Sequence, residues 1–361
     1  MGCFPGEPPF HSRRISSIDL GGDRGYRLFR RQTLAPVGHD TPSEKHPSLH
    51  DNCRFSAQLD LRSLHLASLK MFSMRTNDIT IIGAGPAGIS AGIQLLRAGF
   101  STIVFEKSQP GGLLREANLV ENYPGFPSGI SGKELSELFR RQFELVGGKV
   151  FHSEVLSLEN RDGNFSIRTS ENDFSAKVAV VASGTVPKTP EGIIIDEDAA
   201  GNIHDTILEL ESVSGARILI IGAGDAAFDY AVNLSGRNEI VIIGRSSKPK
   251  CLPLLFQRAM ADSNIRFNPG FYIDRISRNG SGIVVLGSEN SRPAEIRADI
   301  VLLAIGREPA IRFLGDSIIA SKKDLENEGL LYFIGDVANG NIRQTSIAVG
   351  DGIRTAMTIT G

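Results

Sequence analysis

Two glycine-rich segments carry the residue types that could do chemistry in this chain of 361 residues. The first, Gly83-Ala84-Gly85-Pro86-Ala87-Gly88, has the spacing G-x-G-x-x-G and follows the β-branched run Ile79–Ile82. Glycines at this spacing allow a tight turn, a close backbone approach to a pyrophosphate and close packing of a helix on its strand. The helix N-terminus then offers unpaired N–H groups to the phosphates. The segment predicts a dinucleotide-binding turn.

The acidic residue that completes such a turn is Glu106, at the end of the predicted second strand, Ser101–Phe105. It lies 18 residues after Gly88, at the distance where a carboxylate accepts hydrogen bonds from ribose hydroxyl groups. Strand, helix and acid in this register favour cofactor binding over a glycine turn that serves packing alone.

A second copy of the pattern occurs at Gly222-Ala223-Gly224-Asp225-Ala226-Ala227, between predicted strands Ile218–Ile221 and Glu239–Ile243. Its spacing is G-x-G-x-x-A, an accepted variant in which alanine replaces the last glycine. The chain therefore contains two predicted dinucleotide units. Because the first unit is completed by sequence that follows the second, we expect one domain to be inserted into the other.

The two copies differ in charge at the ribose position. Arg245 lies 23 residues after Gly222, as Glu106 lies 23 residues after Gly83. A carboxylate suits a free 2′-hydroxyl, as in FAD or NAD, whereas an arginine suits the 2′-phosphate of NADP. We expect Arg245, with Lys248 close behind it, to favour NADPH over NADH. The alternative is that Arg245 is a solvent-exposed charge at a strand end.

One helix can be placed from its capping signals. Ser131 is a plausible N-cap and Glu134 completes a capping box, which predicts a helix over Ser131–Val146. Four apolar positions of this helix recur at helical spacing and are assigned to the core: Leu135, Leu138, Phe139 and Phe143.

Composition excludes several classes of protein. The net charge of −2 is evenly spread and gives no footprint for nucleic acid, and no apolar run is long enough to span a membrane. Three cysteines exclude a disulfide-built scaffold, so we expect a cytoplasmic protein. Residues 1–73 form a predicted poorly ordered extension that is richer in acidic residues than a transit peptide, although import into an organelle stays open. Its histidines lack metal-ligand spacing.

The order of motifs in residues 74–361 resembles the thioredoxin-reductase-like flavoproteins. The segments that carry the resemblance are Gly83–Gly88, Glu106, Gly111-Gly112-Leu113, Glu121-Asn122-Tyr123-Pro124-Gly125, Gly222–Ala227, Gly335-Asp336-Val337 and Arg343-Gln344. The resemblance implies an α/β homodimer with two Rossmann-like domains, in which an NADPH domain is inserted into an FAD domain. It implies hydride transfer from NADPH to FAD and then electron transfer to an acceptor.

On this basis residues 74–185 and 296–361 are predicted to form the FAD domain, and residues 186–295 the NADPH domain. The predicted FAD-binding residues are Gly83, Gly85, Pro86, Ala87, Gly88, Glu106, Gly112, Leu113, Asn122, Val155, Ala182, Gly184, Gly335, Asp336, Arg343, Gln344 and Thr345; those for NADPH are Gly222, Gly224, Asp225, Ala226, Ala227, Arg245 and Lys248. Asn122 could instead be only a turn residue. No catalytic side chain or metal ligand is predicted, since stacking of nicotinamide on flavin would carry the reaction.

The chain departs from this family where a disulfide is expected. Thioredoxin reductases carry a C-x-x-C pair shortly before the strand of the inserted domain, and the corresponding residues here are Asp205-Thr206-Ile207-Leu208. Cys251 is the one cysteine after residue 73. Lys248 and Lys250 could lower the pKa of its thiol, but we favour a structural role. Cys3 and Cys53 would have to reach the site from the extension.

The missing cysteine pair resembles the ferredoxin (or flavodoxin)–NADP reductases of thioredoxin-reductase type, which implies a small redox protein as acceptor. Those enzymes usually add a C-terminal helix over the flavin, whereas this chain stops at Gly361. Two alternatives stay open. One is a thioredoxin-type disulfide reductase that uses a thiol partner in trans, and the other is a redox sensor that holds flavin without turnover.

Overall fold

The computed structural model describes residues 75–161 and 163–361. The predicted extension, residues 1–73, with Cys3 and Cys53, lies outside the described residues. Within the described ranges, no helix is both long and apolar enough to cross a membrane.

The first domain is built on a seven-stranded sheet. Its strands are β1 (Arg75–Ile82), β2 (Thr102–Glu106), β3 (Val150–His152), β4 (Val155–Arg161), β5 (Asn164–Thr169), β6 (Asp173–Val181) and β18 (Leu331–Phe333). Parallel pairing joins β3, β2, β1 and β6, and β18 also pairs with β6 in parallel. The β-branched residues from Ile79 to Ile82 are buried, as expected for a parallel strand covered on both faces.

Helices cover both faces of this sheet. The first face packs against α1 (Pro86–Arg97), α2 (Gly132–Leu145) and the C-terminal helix α6 (Thr345–Thr360). The opposite face packs against α5 (Asp316–Asn327) through Ile318 and Leu325. The residues from Asp316 onward therefore complete a core that begins at β1.

The predicted capping box of α2 is confirmed. The Ser131 hydroxyl accepts from the Glu134 N–H at 3.2 Å, and the Glu134 side chain returns to the Ser131 N–H. Three of the four predicted core residues of this helix are buried, but Leu138 is 42% exposed, so its assignment to the core is wrong. The buried stripe advances by four residues, through 135, 139 and 143, and leaves position 138 at its solvent edge.

The second domain contains two sheets. Its five-stranded parallel sheet runs in the order β12 (Ile265–Pro269), β11 (Glu239–Gly244), β10 (Arg217–Ile221), β16 (Ile300–Leu303) and β9 (Ile203–His204), and its four-stranded sheet contains β8 (Ile194–Ile195), β13 (Phe271–Asn279), β14 (Gly282–Glu289) and β15 (Arg292–Ala298). Helices α3 (Asp225–Leu234) and α4 (Pro253–Ala261) pack on one face of the parallel sheet, and the four-stranded sheet packs on the other.

Two short strands connect the domains. β7 (Thr185–Pro187) and β17 (Arg307–Pro309) pair antiparallel, and the Arg307 guanidinium donates to the hydroxyl and carbonyl oxygens of Thr185 at 3.0 Å each. The predicted return to the first domain at residue 296 is too early, because β16 pairs with β10 in the second domain. The apolar sequence of β16 is compatible with the parallel sheet of either domain, so it does not show which sheet the strand joins.

The contact between α1 and α6 yields a paired test. A Cβ at Gly352 would lie 2.3 Å from the Ala87 carbonyl oxygen, whereas a Cβ at Gly350 of the same helix meets nothing within 4 Å. We expect Gly352→Ala to lower the free energy of unfolding by about 2 kcal/mol through overpacking. The control Gly350→Ala should raise it by up to about 1 kcal/mol through helix propensity. Urea unfolding measures both, and equal effects would contradict this packing.

Candidate functional site

The first glycine turn has no room for side chains on its inner side. Gly83 has a φ of +108°, and a Cβ there would lie 2.3 Å from the Ala182 carbonyl oxygen. A Cβ at Gly88 would lie 1.9 Å from the Gly83 oxygen. Gly85, the N-cap of α1, faces open space instead, and no side chain caps the helix. The turn thus exposes the N-terminus of α1 to the open space at Gly85, which we call the open seat. A helix N-terminus in such a place suits a pyrophosphate.

Glu106 is fixed at the edge of this seat. Its side chain is buried at the end of β2, where Oε2 accepts from the Ala84 N–H at 2.9 Å and Oε1 accepts from the Ser108 N–H at 3.0 Å. The carboxylate is therefore held beside the turn, in the position that recognition of a ribose requires.

Gly112 reaches the same place from a different segment. It opens a 3₁₀ helix, Gly112–Glu116, and a Cβ on it would lie 3.5 Å from the Cα of Gly85. The Gly111 N–H donates to the Ala84 carbonyl at 2.8 Å, which ties this segment to the turn. Two predicted cofactor segments thus meet at the open seat.

The C-terminal predicted residues lie against the same helix. A Cβ at Gly335 would be 2.8 Å from the Ala87 Cβ. The Gly335 N–H donates to Asp351 of α6 at 3.2 Å. Burial raises the pKa of the Asp336 carboxyl, and the nearby Arg343 and Arg307 cations oppose that rise. Asp351, which organises this loop, was not predicted because it belongs to no motif.

Asn122 and Gln344 are joined directly, although they are 222 positions apart in the chain. The Asn122 Nδ2 donates to the Gln344 Oε1 at 2.7 Å, beside the start of α6 at Thr345. Arg343 has a buried Nε without a hydrogen-bond partner among the described residues. A buried guanidinium N–H that lacks an acceptor fits a site completed by a polar ligand.

The remaining predicted flavin residues divide into two groups. Ala182 donates its N–H to the Ile82 carbonyl at 2.8 Å and borders the turn, and Gly184 accepts from the Ala310 N–H at 3.1 Å at the start of the connecting strands. Leu113 is partly buried beside Gly112. Val155 instead places its side chain in the apolar cluster with Phe105, so packing explains that side chain.

The second glycine turn repeats the geometry of the first. Gly222 has a φ of +136°, and its Cβ would lie 2.2 Å from the Ala304 carbonyl oxygen. At Gly224, the nearest atom to an added Cβ is the Lys250 oxygen at 3.9 Å. The second turn is therefore also closed at its first glycine and open at its second.

The loop after β11 folds back over this turn. The Lys250 N–H donates to the Ala223 carbonyl at 2.7 Å, and Asp225 Oδ1 accepts from the Leu252 N–H at 2.8 Å. Arg245 and Lys248 are exposed on the same loop. The structure thus brings two cationic side chains to the loop that borders the turn, where a 2′-phosphate is expected.

Cys251 does not have the surroundings of a reactive thiol. Burial and the neighbouring Asp225 carboxylate raise the pKa of the thiol, so the interpretation of a lowered pKa is wrong. Cys251 packs at the margin of the apolar cluster of α3 and α4, and it is the one cysteine within the described ranges.

Polar residues between the two domains were missed at the sequence level. The Tyr230 hydroxyl donates to Glu116 Oε2 at 2.6 Å and the Thr206 hydroxyl to Oε1 at 3.1 Å. Asp229 accepts from the Asn118 N–H at 3.1 Å, and burial raises the pKa of Asp229 to about 6. The partners are 90 to 114 positions apart, so no local pattern reveals them.

Two Rossmann-type domains, one inserted into the other and each with an open glycine turn, are typical of an oxidoreductase that binds two dinucleotides. The family profile described as pyridine nucleotide-disulphide oxidoreductase matches residues 77–352. The chain belongs to this family. It is an NAD(P)H-dependent flavoprotein oxidoreductase of the thioredoxin-reductase-like type, with FAD and NADPH as cofactors.

Individual relatives agree with this assignment. The chain is 26% identical to thioredoxin reductase of Borreliella burgdorferi over 297 residues, which are 76% of this chain and 88% of the relative. It is 25% identical to the mitochondrial thioredoxin reductase 1 of Arabidopsis thaliana over 91% of this chain and 93% of the relative.

Solved structures show the same fold. Thioredoxin reductase of Lactococcus lactis superimposes with a TM-score of 0.70 at 25% identity, covering 78% of this chain and 97% of that one. The T. acidophilum thioredoxin reductase gives a TM-score of 0.68 at 28% identity, with 79% and 98% covered. The predicted fold class is confirmed.

The open seat at Gly85 can be tested by filling it. Gly85→Asp should leave the fold intact, since a Cβ there meets no protein atom within 4 Å, and should place a negative charge where we predict that the pyrophosphate binds. We expect the purified variant to lose its flavin absorbance while keeping its circular dichroism spectrum. The control is Gly201→Asp, at an exposed glycine that also has open space. Flavin retained by Gly85→Asp would refute this assignment.

Proposed function

We propose that this enzyme passes electrons from NADPH through FAD to a separate redox protein, and not to a disulfide of its own. The observation that carries the proposal is the segment Asp205–Leu208, which stands where the resemblance predicts a thiol pair and contains no cysteine. Its Thr206 hydroxyl is engaged with Glu116 of the first domain. Cys251, with its raised pKa and apolar packing, offers no substitute.

The acceptor that we propose is a small one-electron carrier such as ferredoxin or flavodoxin. FAD accepts two electrons as a hydride and can release them one at a time, so it links NADPH to such a carrier without a dithiol. The absence of the cysteine pair supports this choice, as in the ferredoxin–NADP reductases that the chain resembles. We also propose that the enzyme is a cytoplasmic homodimer.

The residues of this chain bind and orient the two cofactors. In our proposal, Gly85 and Gly112 border the pyrophosphate of FAD and Glu106 binds its ribose. The buried Nε of Arg343 donates a hydrogen bond to FAD. The turn at Gly224 and the loop of Arg245 and Lys248 bind NADPH. No side chain acts as acid, base or nucleophile, because positioning of the nicotinamide against the flavin carries the hydride step.

A second candidate is disulfide reduction with a thiol partner in trans. It is favoured by the names of the relatives, which are thioredoxin reductases. In that case the electrons would leave FAD in pairs, and reduction of a thioredoxin-like protein would require a second, cysteine-bearing protein. A flavin-binding sensor without turnover is the third possibility, and it predicts that NADPH reduces the flavin very slowly.

An anaerobic titration of the holoenzyme with NADPH separates these possibilities. We expect the flavin absorbance to bleach completely after one equivalent, because FAD is the only two-electron store. Consumption of two equivalents would reveal a disulfide and contradict the proposal. Repeating the titration with Cys251→Ser and with Cys3→Ser/Cys53→Ser would then identify the thiols. Negligible bleaching would instead favour the sensor.

The cationic loop predicts the preference for NADPH. Arg245→Gln should raise the KM for NADPH by about tenfold, since a charge-assisted hydrogen bond is worth about 1.5–3 kcal/mol when shielded and less on this exposed loop. The KM for NADH should change little. Arg237→Gln, at an exposed arginine after α3, serves as the control. Equal changes for both nucleotides would exclude a phosphate-binding role for Arg245.

A further inference from the structure

Glu116 has surroundings that cofactor binding does not explain. It is 8% exposed and belongs to the 3₁₀ helix that opens at Gly112 in the first domain. Both carboxylate oxygens accept hydrogen bonds from hydroxyl groups of the second domain, Oε2 from Tyr230 and Oε1 from Thr206. We call these three side chains the Glu116 anchor. Tyr230 lies on α3 and Thr206 lies before the strand β10, so one carboxylate joins two elements of the other domain.

Two ion pairs between the domains are weaker than these hydrogen bonds. Arg258 pairs with Glu121, and Lys133 pairs with Glu211, but all four side chains are between 42% and 48% exposed. Exposed ion pairs contribute little to stability. Hydrogen bonds to a charged group contribute more, and breaking a buried one leaves a polar group unsatisfied. The anchor therefore holds the second domain against the first more strongly than these two ion pairs do.

The anchor joins two elements that each begin beside a predicted cofactor seat. The 3₁₀ helix that carries Glu116 begins at Gly112, next to the open seat at Gly85. Helix α3 carries Tyr230 in its second turn and begins at the turn of Gly224. Asp229, next to Tyr230, accepts from the Asn118 N–H, two residues after Glu116. Helix α3, which begins at the second glycine turn, thus contacts the segment that follows Gly112 and borders the flavin seat.

We propose that Glu116 is a positioning residue for hydride transfer: through Tyr230 and Thr206 it holds the second domain in the pose that brings NADPH to the flavin. The kinetic part of this inference depends on the proposed function, whereas the structural part does not. The two connecting strands, β7 and β17, leave the pose to be fixed by contacts across the interface. Removing one hydroxyl of the anchor shifts the population away from this pose.

The cleanest variant is Tyr230→Phe, which removes a hydroxyl and keeps the buried ring. Tyr272→Phe, at a half-exposed tyrosine of the same domain, is the matched control. Thr206→Val removes the other hydroxyl. That hydroxyl also accepts from the Leu208 N–H at 3.3 Å, so the local effect of losing this bond must be separated from the effect of losing the bond to Glu116. Thr206→Ser keeps both hydrogen bonds and should restore the wild-type behaviour that the valine loses.

The first measurement is amide hydrogen exchange of the holoenzyme without NADPH. We expect Tyr230→Phe to increase exchange at residues 113–118, which belong to the other domain, while exchange in β1 and β10 stays unchanged. A uniform increase would indicate general destabilisation, and unchanged exchange at 113–118 would show that the hydroxyl does not hold the interface. Either result would contradict the proposed role of the anchor in holding the two domains together.

The second measurement is the rate of flavin reduction in rapid mixing with NADPH. We expect the rate at saturating NADPH to fall about tenfold in Tyr230→Phe and Thr206→Val. The dissociation constant of NADPH should stay the same, because the nucleotide seat is intact. An unchanged or faster rate would overturn the positioning role. If the wild-type flavin is not reduced by NADPH at all, the proposed function fails, while the exchange result still decides whether the anchor exists.

Discussion

Each of the two domains depends on the close approach of a glycine to the carbonyl oxygen at the end of a neighbouring strand. Gly83 lies against Ala182, and Gly222 lies against Ala304, in each case with space for a hydrogen atom and not for a methyl group. The same two hydrogen bonds frame both turns, from the glycine N–H to the adjacent strand end and from the alanine N–H to the residue before the glycine. Each glycine thereby directs a helix N-terminus toward an open seat, and the rest of each domain holds that helix in place.

Features that depend on neighbouring residues could be predicted from the sequence. The glycine turns, the capping box at Ser131 and the inserted arrangement of two domains all follow from local spacing, and the structure has them. The exposure of Leu138 was missed because a helical pattern gives the spacing of an apolar stripe but not its width. The sheet that receives β16 was missed because parallel strands in either domain have the same apolar character.

Features that depend on distant residues could not be predicted. Glu116 belongs to no motif, and it becomes a neighbour of Tyr230 and Thr206 only after both domains have folded. Glu116 also contradicts the usual expectation that a buried acid is paired with a cation, since its two partners are hydroxyl groups. Hydroxyl groups satisfy the carboxylate without an opposite charge, so the interface between the domains is held by short-range hydrogen bonds that salt screens little.

The hydrogen bond between Asn122 and Gln344 also has a consequence for synthesis of the protein. The first domain lacks β18 and α6 until the end of the chain has been made, whereas the second domain is continuous and complete much earlier. At about 5–20 residues per second, the ribosome needs roughly 10 to 45 s to add the residues that separate Asn122 from its partner. During that interval the apolar face of β1 and α1 is uncovered and the flavin seat is unfinished. Cofactor loading must therefore follow synthesis of α6, and a product truncated before α6 would be an aggregation-prone protein without flavin.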